Sequence, residues 1–572
     1  MTVSVDCPRT SVRPPNVVLI ITDDQGWGGL GINGNPMLDT PVLDALGRAG
    51  AMFNRYYVSP VCAPTRASLM TGRYHPRTGM IGIRPGLDTM RCEEQTLAAV
   101  LQQAGYATGI FGKWHNGTHY PYTPLGRGFD EHLGFSAGHW SNYFDTTLEH
   151  NGKPLPTRGF ITDVLTDGAI NFIQRHRAEP FFCYIPYNAP HVPHQVPDRY
   201  FEKYKQRGAS DWVACSYGMI ENVNDNVHRV LETLERLQLT NDTIVIFTTD
   251  HGPDTECFNG GMRGWKRDVD EGGVRVPLLI HAPGVIRSGT VVSELTADID
   301  LFPTILDLCG VSIPNGLSLD GQNLAPLLRG QSVTWPDRMI FSYCSREGID
   351  AMTPGAVRTQ RHRLVNRGDG YELYDMIRDS GQAIDISVQN PDTTAELIAA
   401  YESWFQDVTS NVGKRFPIPI GHVEAPLVEL PVTQANRTSG LAFIASAPGW
   451  NHDWLTCWNS TDESVSWEVD VAGAGEYEVA VRHTCPWEDA GALIRVNLGS
   501  RPIEARIDEG FDPDPMLSPD RVLRSVAYEK SWANLALGRV ALDAGRMRVS
   551  VQAVELRGRQ AMEMKSLQLQ RV

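Results

Sequence analysis

The feature that most constrains this chain is the run Asn16–Thr22, which is almost continuous in β-branched and other apolar residues. A run without polar alternation is typical of a strand buried on both faces of a sheet. Similar runs follow at residues 105–112, 181–185 and Thr243–Thr249, and apolar residues at helical spacing lie between them, for example at 222–239. The chain is therefore predicted to be an α/β protein whose central sheet is mostly parallel and flanked by helices.

Charged or imidazole residues follow each of these four runs. In chain order they are Asp23 and Asp24, Lys113 and His115, His191, and Asp250 and His251. Any one of these endings taken alone is usually a solvated surface feature. If the strands are parallel neighbours, however, their carboxyl ends meet at one edge of the sheet, where open α/β sheets bind their ligands. The four endings together therefore predict one site.

A second constraint is the stretch at residues 62–73. Pro64 suits the first turn of a helix, because its missing N–H has no partner there in any case, and Gly72 suits the end of that helix. Cys62 would then lie at the positive N-terminal end, and Arg66, one turn further, adds a guanidinium suited to an oxyanion. On these features alone, a buried and unreactive thiol remains the simpler interpretation of Cys62.

The residue pattern of this stretch changes that interpretation. Cys62-x-Pro64-x-Arg66, followed by Leu-x-Thr-Gly-Arg, resembles the active-site motif of type I sulfatases, the formylglycine-dependent members of the alkaline phosphatase superfamily. In that family the cysteine is oxidised to formylglycine. One hydroxyl of the aldehyde hydrate attacks sulfur and the other collapses to expel sulfate, which a thiol cannot do. Thr65 departs from the serine common in the family but keeps the hydroxyl.

The resemblance also implies a metal site. Asp23, Asp24, Asp250 and His251 match the family's ligands of a divalent cation, which the modified Cys62 also contacts. Asparagine and histidine both occur in the family at the position of His251. A shell made mostly of carboxylates suits a hard cation, so calcium is expected, with magnesium as the second choice.

Catalytic roles follow from the same resemblance. Arg66 and Lys113 are expected to hold the aldehyde hydrate, and Lys266, in a loop that resembles the family's lysine loop, to contact the sulfate oxygens. His115 is the expected base for collapse of the hydrate, and His191 the acid that protonates the departing alkoxide. Four loop residues are further expected to line the leaving-group pocket: Tyr120, His139, Trp140 and Tyr143.

Four regions are predicted along the chain. Residues 1–330 are predicted to form the catalytic α/β domain, 331–412 a small antiparallel subdomain, 413–429 a linker, and 430–572 a separate β-sandwich of short alternating strands. The sandwich resembles a carbohydrate-binding module, and a structural appendage or a subunit interface is the alternative. Its loops carry four tryptophans that could stack on sugar rings: Trp450, Trp454, Trp458 and Trp487.

Composition excludes several classes of protein. A net charge of −16 argues against a nucleic-acid partner, and the chain lacks a stretch long and apolar enough to predict a membrane span. The ten cysteines include no CxxC pair, so a zinc ribbon or redox motif is not expected. A cytoplasmic location is expected if Met1 is the native start, and a periplasmic or secreted one if an export signal was removed. The oligomeric state stays open.

The predicted function is hydrolysis of a sulfate monoester on a carbohydrate. The expected partners are a sulfated small molecule or saccharide and the formylglycine-generating enzyme that matures Cys62. The first alternative is a phosphonate or phosphate monoester hydrolase of the same superfamily. The second is a catalytically silent carbohydrate-binding protein.

Overall fold

Four parallel strands, formed by the four apolar runs, lie side by side at the centre of a mixed sheet. The computed structural model describes residues 13–254, 256–349, 351–413 and 415–572. Cys7, and Lys414 in the predicted linker, lie outside the described residues. Among these residues the strands of the sheet are, in chain order, β1 Asn16–Thr22, β2 Ala51–Phe53, β3 Ala107–Lys113, β4 Glu131–Phe135, β5 Thr147–His150, β6 Lys153–Pro156, β7 Phe181–Pro186, β8 Thr243–Thr249, β9 Leu278–His281 and β10 Thr290–Val292.

The strand order is β10-β2-β9-β8-β1-β7-β3-β4-β5-β6. The five strands from β8 to β4 are parallel, and β9, β5 and β6 run antiparallel to their neighbours in the sheet. The predicted mostly parallel sheet is thus confirmed. β9 is an internal strand, because it pairs with β8 on one side and β2 on the other.

Helices cover both faces of the sheet. They comprise Pro41–Ala49, Cys62–Thr71, Leu97–Gln103, Ile161–Arg175, Asp198–Gln206, Asp211–Arg236, Glu271–Val274, Leu301–Leu308 and Ala325–Leu328. Every second residue of β1, from Val17 to Ile21, belongs to the hydrophobic core that includes residues of Cys62–Thr71. The residues between them belong to the core that includes Asp211–Arg236 on the other face. A strand buried on both faces needs apolar residues throughout, which explains the unbroken run.

A four-stranded antiparallel sheet follows the catalytic domain. Its strands are Ile340–Tyr343, Gly355–Arg358, His362–Asn366 and Tyr371–Asp375, each paired with the next along the chain. The helix Pro391–Thr409 packs on this sheet, and Leu397, Tyr401 and Trp404 enter its core. This is the small antiparallel subdomain that the sequence predicts.

Two sheets enclose one hydrophobic core in the C-terminal region. The first contains Ile418–Ile420, Asn436–Arg437, Ser464–Val471, Leu493–Leu498, Arg501–Arg506 and Gly545–Glu555. The second contains Leu427–Pro431, Ala442–Phe443, Leu455–Thr456, Gly475–Thr484, Ala533–Leu542 and Glu563–Arg571. The predicted β-sandwich is confirmed.

The linker predicted at residues 413–429 needs correction. Ile418–Ile420 pairs with Val469–Val471 in one sheet, and Leu427–Pro431 pairs with the last strand in the other. Alternating Ile418 and Ile420 are buried in the sandwich core, so this stretch belongs to the sandwich and does not connect independent units. Its prolines suggested a linker, but proline is tolerated in strands at a sheet edge.

Two of the four tryptophans expected to face sugars are instead structural. Trp458 is fully buried in the sandwich core, and Trp454 is 4 % exposed with its ring 5.5 Å from that of Trp532. Trp450 is partly buried, with the guanidinium of Arg84 4.7 Å from its ring, whereas Trp487 is 70 % exposed. A loop position in the sequence did not distinguish core tryptophans from exposed ones.

The sandwich packs directly against the catalytic domain. The His452 ring lies 4.5 Å from that of Trp140, and the Gln434 side chain donates to Thr118. In the part of the chain that the structure describes, the cysteines are free thiols. No helix there is both long enough and apolar enough to span a bilayer.

Candidate active site

Two neighbouring strand ends bring the acidic residues together. The parallel pairing of β1 with β8 sets Thr22 beside Thr249, so Asp23 and Asp250 follow side by side. The Asp250 N–H donates to the Thr22 carbonyl (3.1 Å), and the Asp24 N–H donates to Asp250 Oδ1 (3.2 Å). Asp24 has a left-handed backbone, with φ at 69°. Such a conformation in a residue other than glycine is often associated with a functional site.

Cys62 begins a helix that points at these carboxylates. The helix Cys62–Thr71 starts after Val61, which provides no side-chain cap, and ends at Gly72 in the left-handed conformation (φ 68°), as predicted. The Thr65 hydroxyl donates to the Asp250 carbonyl at 2.8 Å and so ties the helix to the end of β8. A serine would carry the same hydroxyl. Cys62 therefore lies, 3 % exposed, at a positive helix end beside the acidic cluster.

The ligand atoms of Asp23, Cys62, Asp250 and His251 all lie within 4.8 Å of one another. Asp24 joins a second such group with Asp23 and His191. Four of the residues predicted from separate parts of the sequence thus form one buried cluster with the donor atoms of a metal site.

The His251 ring provides a direct test of whether this cluster fits a cation. Its Nδ1 contacts the Gly252 carbonyl at 2.9 Å, which leaves Nε2 facing carboxylate oxygens of Asp250 and Asp24 (both 3.4 Å) and Asp23 (3.9 Å). Neither His251 Nε2 nor Asp23 Oδ1 has a hydrogen-bond partner. Buried polar atoms are rarely left unpaired, and a divalent cation between these atoms would satisfy both.

The pKa of His251 leads to the same conclusion. Burial would lower it, but Asp250, Cys62 and Asp24 raise it to about 9. The site therefore demands positive charge at Nε2, which a proton or a metal ion can supply. Burial raises the pKa of Asp24 to about 7, a value that a bound cation would lower again by favouring the carboxylate.

Three cationic side chains surround the cluster. Arg66 is fully buried and donates to Asp250 Oδ2 at 2.9 Å and to the Lys113 carbonyl at 3.1 Å. Lys113 pairs with Asp23, and Lys266 Nζ donates to Asp24 Oδ1 at 2.7 Å. Arg66 therefore braces Asp250 and the chain at Lys113.

These cations also perturb the acids around them. Burial opposes ionisation of Asp23, yet Lys113, His191 and Arg66 hold its pKa well below the usual range. Burial likewise opposes ionisation of the Cys62 thiol, but Lys113 and His115 lower its pKa well below the ordinary value. The site is thus built to hold negative charge at position 62.

The two histidines differ in exposure and in their partners. His115 is buried, with Nε2 at 3.3 Å from the Ile83 carbonyl and 3.6 Å from Asp88. His191 is 14 % exposed, and its Nε2 lies 4.0 Å from Asp24 Oδ2. His191 is therefore the more accessible of the two.

The residues expected in the leaving-group pocket divide into two groups. The His139 ring lies 5.6 Å from that of His191, and the Tyr143 hydroxyl donates to the His191 carbonyl at 3.0 Å. Trp140 stacks on Phe135 and contacts the sandwich, and Tyr120 packs against His422. His139 and Tyr143 thus lie beside His191, whereas Trp140 and Tyr120 support the contact between domains.

Sequence reasoning missed two residues near the site. Asp88 contacts His115, and Gln195 accepts a hydrogen bond from the Tyr143 N–H at 2.7 Å. Neither follows a predicted strand or belongs to the motif around Cys62. No local pattern identifies them, because their importance comes from contacts with residues distant in sequence.

Comparisons with known proteins agree with this geometry. A family model described as "Sulfatase" matches residues 15–311, and one described as "N-sulphoglucosamine sulphohydrolase, C-terminal" matches residues 261–408. Human N-acetylgalactosamine-6-sulfatase is 33 % identical over 369 residues, which are 58 % of this chain and 68 % of the relative. The arylsulfatase of Hemicentrotus pulcherrimus is 27 % identical over 522 residues, which are 84 % of this chain and 92 % of the relative.

A solved structure is similar as well. The crystal structure of Ps i-CgsB in complex with k-i-k-neocarrahexaose has a TM-score of 0.66 and 28 % sequence identity, and the match covers 71 % of this chain and 95 % of that chain. Neither of the two family models extends beyond residue 408.

Proposed function

The chain belongs to the sulfatase family, and from that premise we propose that it removes sulfate from a saccharide monoester with formylglycine made from Cys62. As a member of this family it is a sulfuric ester hydrolase. The observation that carries the proposal is the position of Cys62 at a helix start, with its sulfur among the ligand atoms of Asp23, Asp250 and His251.

The saccharide is supported by the relatives. N-acetylgalactosamine-6-sulfatase, from its name, acts on a sulfated sugar, and Ps i-CgsB holds a neocarrahexaose in its crystal structure. The charge of the site fits an anionic ester. Its three carboxylates are balanced by Arg66, Lys113 and Lys266, so a divalent cation would make the cluster positive within a chain of net charge −16.

Asp23, Asp24, Asp250 and His251 would hold the cation, which we propose to be calcium. Carboxylates in a buried cluster favour a hard cation, and calcium tolerates irregular oxygen-rich shells better than magnesium does. When bound, the cation would supply a Lewis acid for a sulfate oxygen and a template for the ester. Formylglycine at position 62 would supply, as its hydrate, the nucleophilic oxygen. This modification requires a formylglycine-generating enzyme as a partner.

Lys113 and Lys266 neutralise the sulfuryl oxygens. Each ammonium already pairs with a carboxylate, Lys113 with Asp23 and Lys266 with Asp24. Both positive charges are therefore held in place before the substrate binds, and fixed charge at developing negative charge is the largest single contribution in many enzymes. Arg66 holds Asp250 in position by donating to its carboxylate at 2.9 Å.

The histidines move protons. His115, buried against Ile83 and Asp88, is the base that accepts a proton from the group at position 62. His191, on the accessible side, donates a proton to the oxygen that leaves with the sugar. Proton donation matters most for a sugar hydroxyl, which is a far poorer leaving group than a phenol.

The test uses protein co-expressed with a formylglycine-generating enzyme, with conversion of Cys62 measured by mass spectrometry. Release of sulfate is then measured from 4-nitrophenyl sulfate, N-acetylgalactosamine 6-sulfate and carrageenan oligosaccharides. Release of 4-nitrophenol is measured from 4-nitrophenyl phenylphosphonate for comparison. We expect turnover of sulfate esters in proportion to the converted fraction. Preferential turnover of the phosphonate, or equal turnover by unconverted protein, would contradict the proposal.

A further inference from the structure

The β-sandwich reaches the site through a chain of hydrogen bonds that runs from Asp520 to Gln195 and Tyr143. From this chain we propose that Asp520, in the sandwich loop at residues 507–532, is a positioning residue for His191. The inference rests on the proposed function, in which His191 protonates the departing oxygen. On this inference the C-terminal sandwich contributes to the active site. It would then be neither a structural appendage nor an independent sugar-binding module.

The first link is Tyr143, which is 1 % exposed. Its hydroxyl lies 3.0 Å from the His191 carbonyl and 2.8 Å from the Val192 carbonyl, so it can donate to either. Its backbone N–H donates to Gln195 Oε1 at 2.7 Å. Gln195 is itself fully buried. Tyr143 therefore holds the two carbonyls that follow the His191 side chain, and Gln195 holds the Tyr143 backbone.

The second link crosses from the catalytic domain to the sandwich. Gln195 Nε2 donates to Asp520 Oδ1 at 2.8 Å. Arg524 holds the same carboxylate through Nε (2.8 Å) and Nη2 (2.6 Å), and the Tyr528 hydroxyl donates to it at 2.9 Å. A third guanidinium nitrogen of Arg524 donates to the Ser141 carbonyl at 2.9 Å. Asp520 is thus held rigidly where it meets Gln195.

The same loop contacts the His191 segment a second time. The Arg521 N–H donates to the His194 carbonyl at 2.8 Å, and its guanidinium donates to the Val196 carbonyl at 3.1 Å. Consecutive residues of the sandwich therefore bind the chain that follows His191 through both backbone and side chain. The separate contacts made by Asp520 and Arg521 indicate that this loop is packed specifically against the segment that follows His191.

The geometry of His191 shows why this support matters. Its Nδ1 contacts the Val192 carbonyl at 2.8 Å, the same oxygen that Tyr143 approaches, and Nε2 is left facing Asp24. A shift of the Val192 carbonyl would therefore turn the imidazole away from the departing oxygen. A misplacement of about 1 Å at a catalytic group can cost about 100-fold in rate.

The test compares esters that differ in their need for proton donation. Wild type, Asp520→Ala and Asp520→Asn are prepared as full chains with matched formylglycine content and assayed on phenyl sulfate and 4-nitrophenyl sulfate. For Asp520→Ala we expect kcat on phenyl sulfate to fall about 10- to 100-fold, and kcat on 4-nitrophenyl sulfate, whose phenol is more acidic, to fall less than about 3-fold. The matched control is Asp543→Asn, an exposed carboxylate paired with Arg501 in the same sandwich.

A rescue variant separates positioning from general destabilisation. Gln195→Glu combined with Asp520→Asn exchanges donor and acceptor across the link, because the introduced amide at 520 can donate to the introduced carboxylate at 195. The carboxylate at 195 still accepts from the Tyr143 N–H. We expect the double variant to recover most of the lost turnover of phenyl sulfate and so to return the rate ratio of the two esters toward its wild-type value. Gln195→Glu alone, which places two carboxylates face to face, should not.

Each result decides the question. If kcat of a folded Asp520→Ala protein falls by the same factor on both esters, or does not fall on either, the positioning role is overturned and the sulfatase proposal is left intact. Absence of turnover of every sulfate ester by fully converted wild type would instead overturn the proposed function, and with it this inference.

Discussion

Removal of the Asp250 carboxylate should weaken the fold and the metal site together. Arg66 and Asp250 are both fully buried, and the guanidinium donates to Oδ2 at 2.9 Å through Nη2 and at 3.3 Å through Nε. In Asp250→Ala the Arg66 guanidinium loses both of these contacts, and it keeps the Asp23 oxygen at 3.6 Å and the Lys113 carbonyl. Removing one partner of a buried ion pair costs about 3–5 kcal/mol. Since native domains are stable by about 5–15 kcal/mol, the loss should be large.

Loss of the cation adds to this effect. A cation held by the folded state at 100 times its Kd stabilises that state by about 2.7 kcal/mol, which the variant should not gain. We therefore expect the unfolding free energy of wild type to rise by about that amount between EDTA and excess calcium, and that of Asp250→Ala to stay constant. Asp250→Asn should lie between the two, because the amide oxygen still accepts from Arg66 but carries no charge.

The assay is urea unfolding followed by tryptophan fluorescence, with metal content measured by mass spectrometry after gel filtration. Asp543→Asn serves as the control for a surface carboxylate. Two results together would show that the reasoning is wrong. In EDTA, Asp250→Ala would unfold at the same urea concentration as wild type, so Asp250 would not balance Arg66; after gel filtration without EDTA it would retain one equivalent of metal, so Asp250 would not bind the cation.

Three further outcomes are expected. Cys62→Ala should fold but lose turnover, and Cys62→Ser should stall as a sulfated enzyme, because serine has no second hydroxyl to expel sulfate. Intact-mass spectrometry would detect the added sulfate, and sustained turnover by Cys62→Ser with an unmodified serine would contradict this prediction. Trp458→Ala should lower the stability of the sandwich by about 3–5 kcal/mol, whereas Trp487→Ala, at a position 70 % exposed, should change it by less than about 0.5 kcal/mol; similar losses from both in urea unfolding would refute the assignment of Trp458 to the core. Truncation after residue 412 should lower activity on aryl sulfates as well as on saccharides, because the sandwich supports the His191 segment; a soluble truncated protein with wild-type activity on both would refute that support.

Much of the α/β domain could be predicted from residue patterns. β1 and β8 have the predicted bounds, and the helix at Cys62 starts and ends at the expected residues. These elements depend on periodicity and on turn residues within the same stretch of chain, so local sequence is sufficient. The convergence of Asp23 and Asp250 was also predictable, because parallel strands end at the same edge.

Other features could not be predicted in the same way. The stretch around Ile420 contains prolines and looked like a linker, yet it forms a strand because a sheet edge lies beside it. Arg66 belongs to the motif, but only the folded structure shows that its guanidinium binds the Asp250 carboxylate. Whether Trp458 faces sugar or core depends on what packs above it.

Strands, helices and the chemical groups that follow them can be predicted from neighbouring residues, since these properties are local. The contacts that support each group depend instead on how distant segments pack. Gln195 and Asp520 are separated by 325 residues and share one hydrogen bond. No periodicity connects positions so far apart, because such a contact depends on how two domains pack. The positions of the candidate cation ligands can thus be read from strand ends, whereas the contact between the His191 segment and the C-terminal sandwich is seen only in the folded molecule.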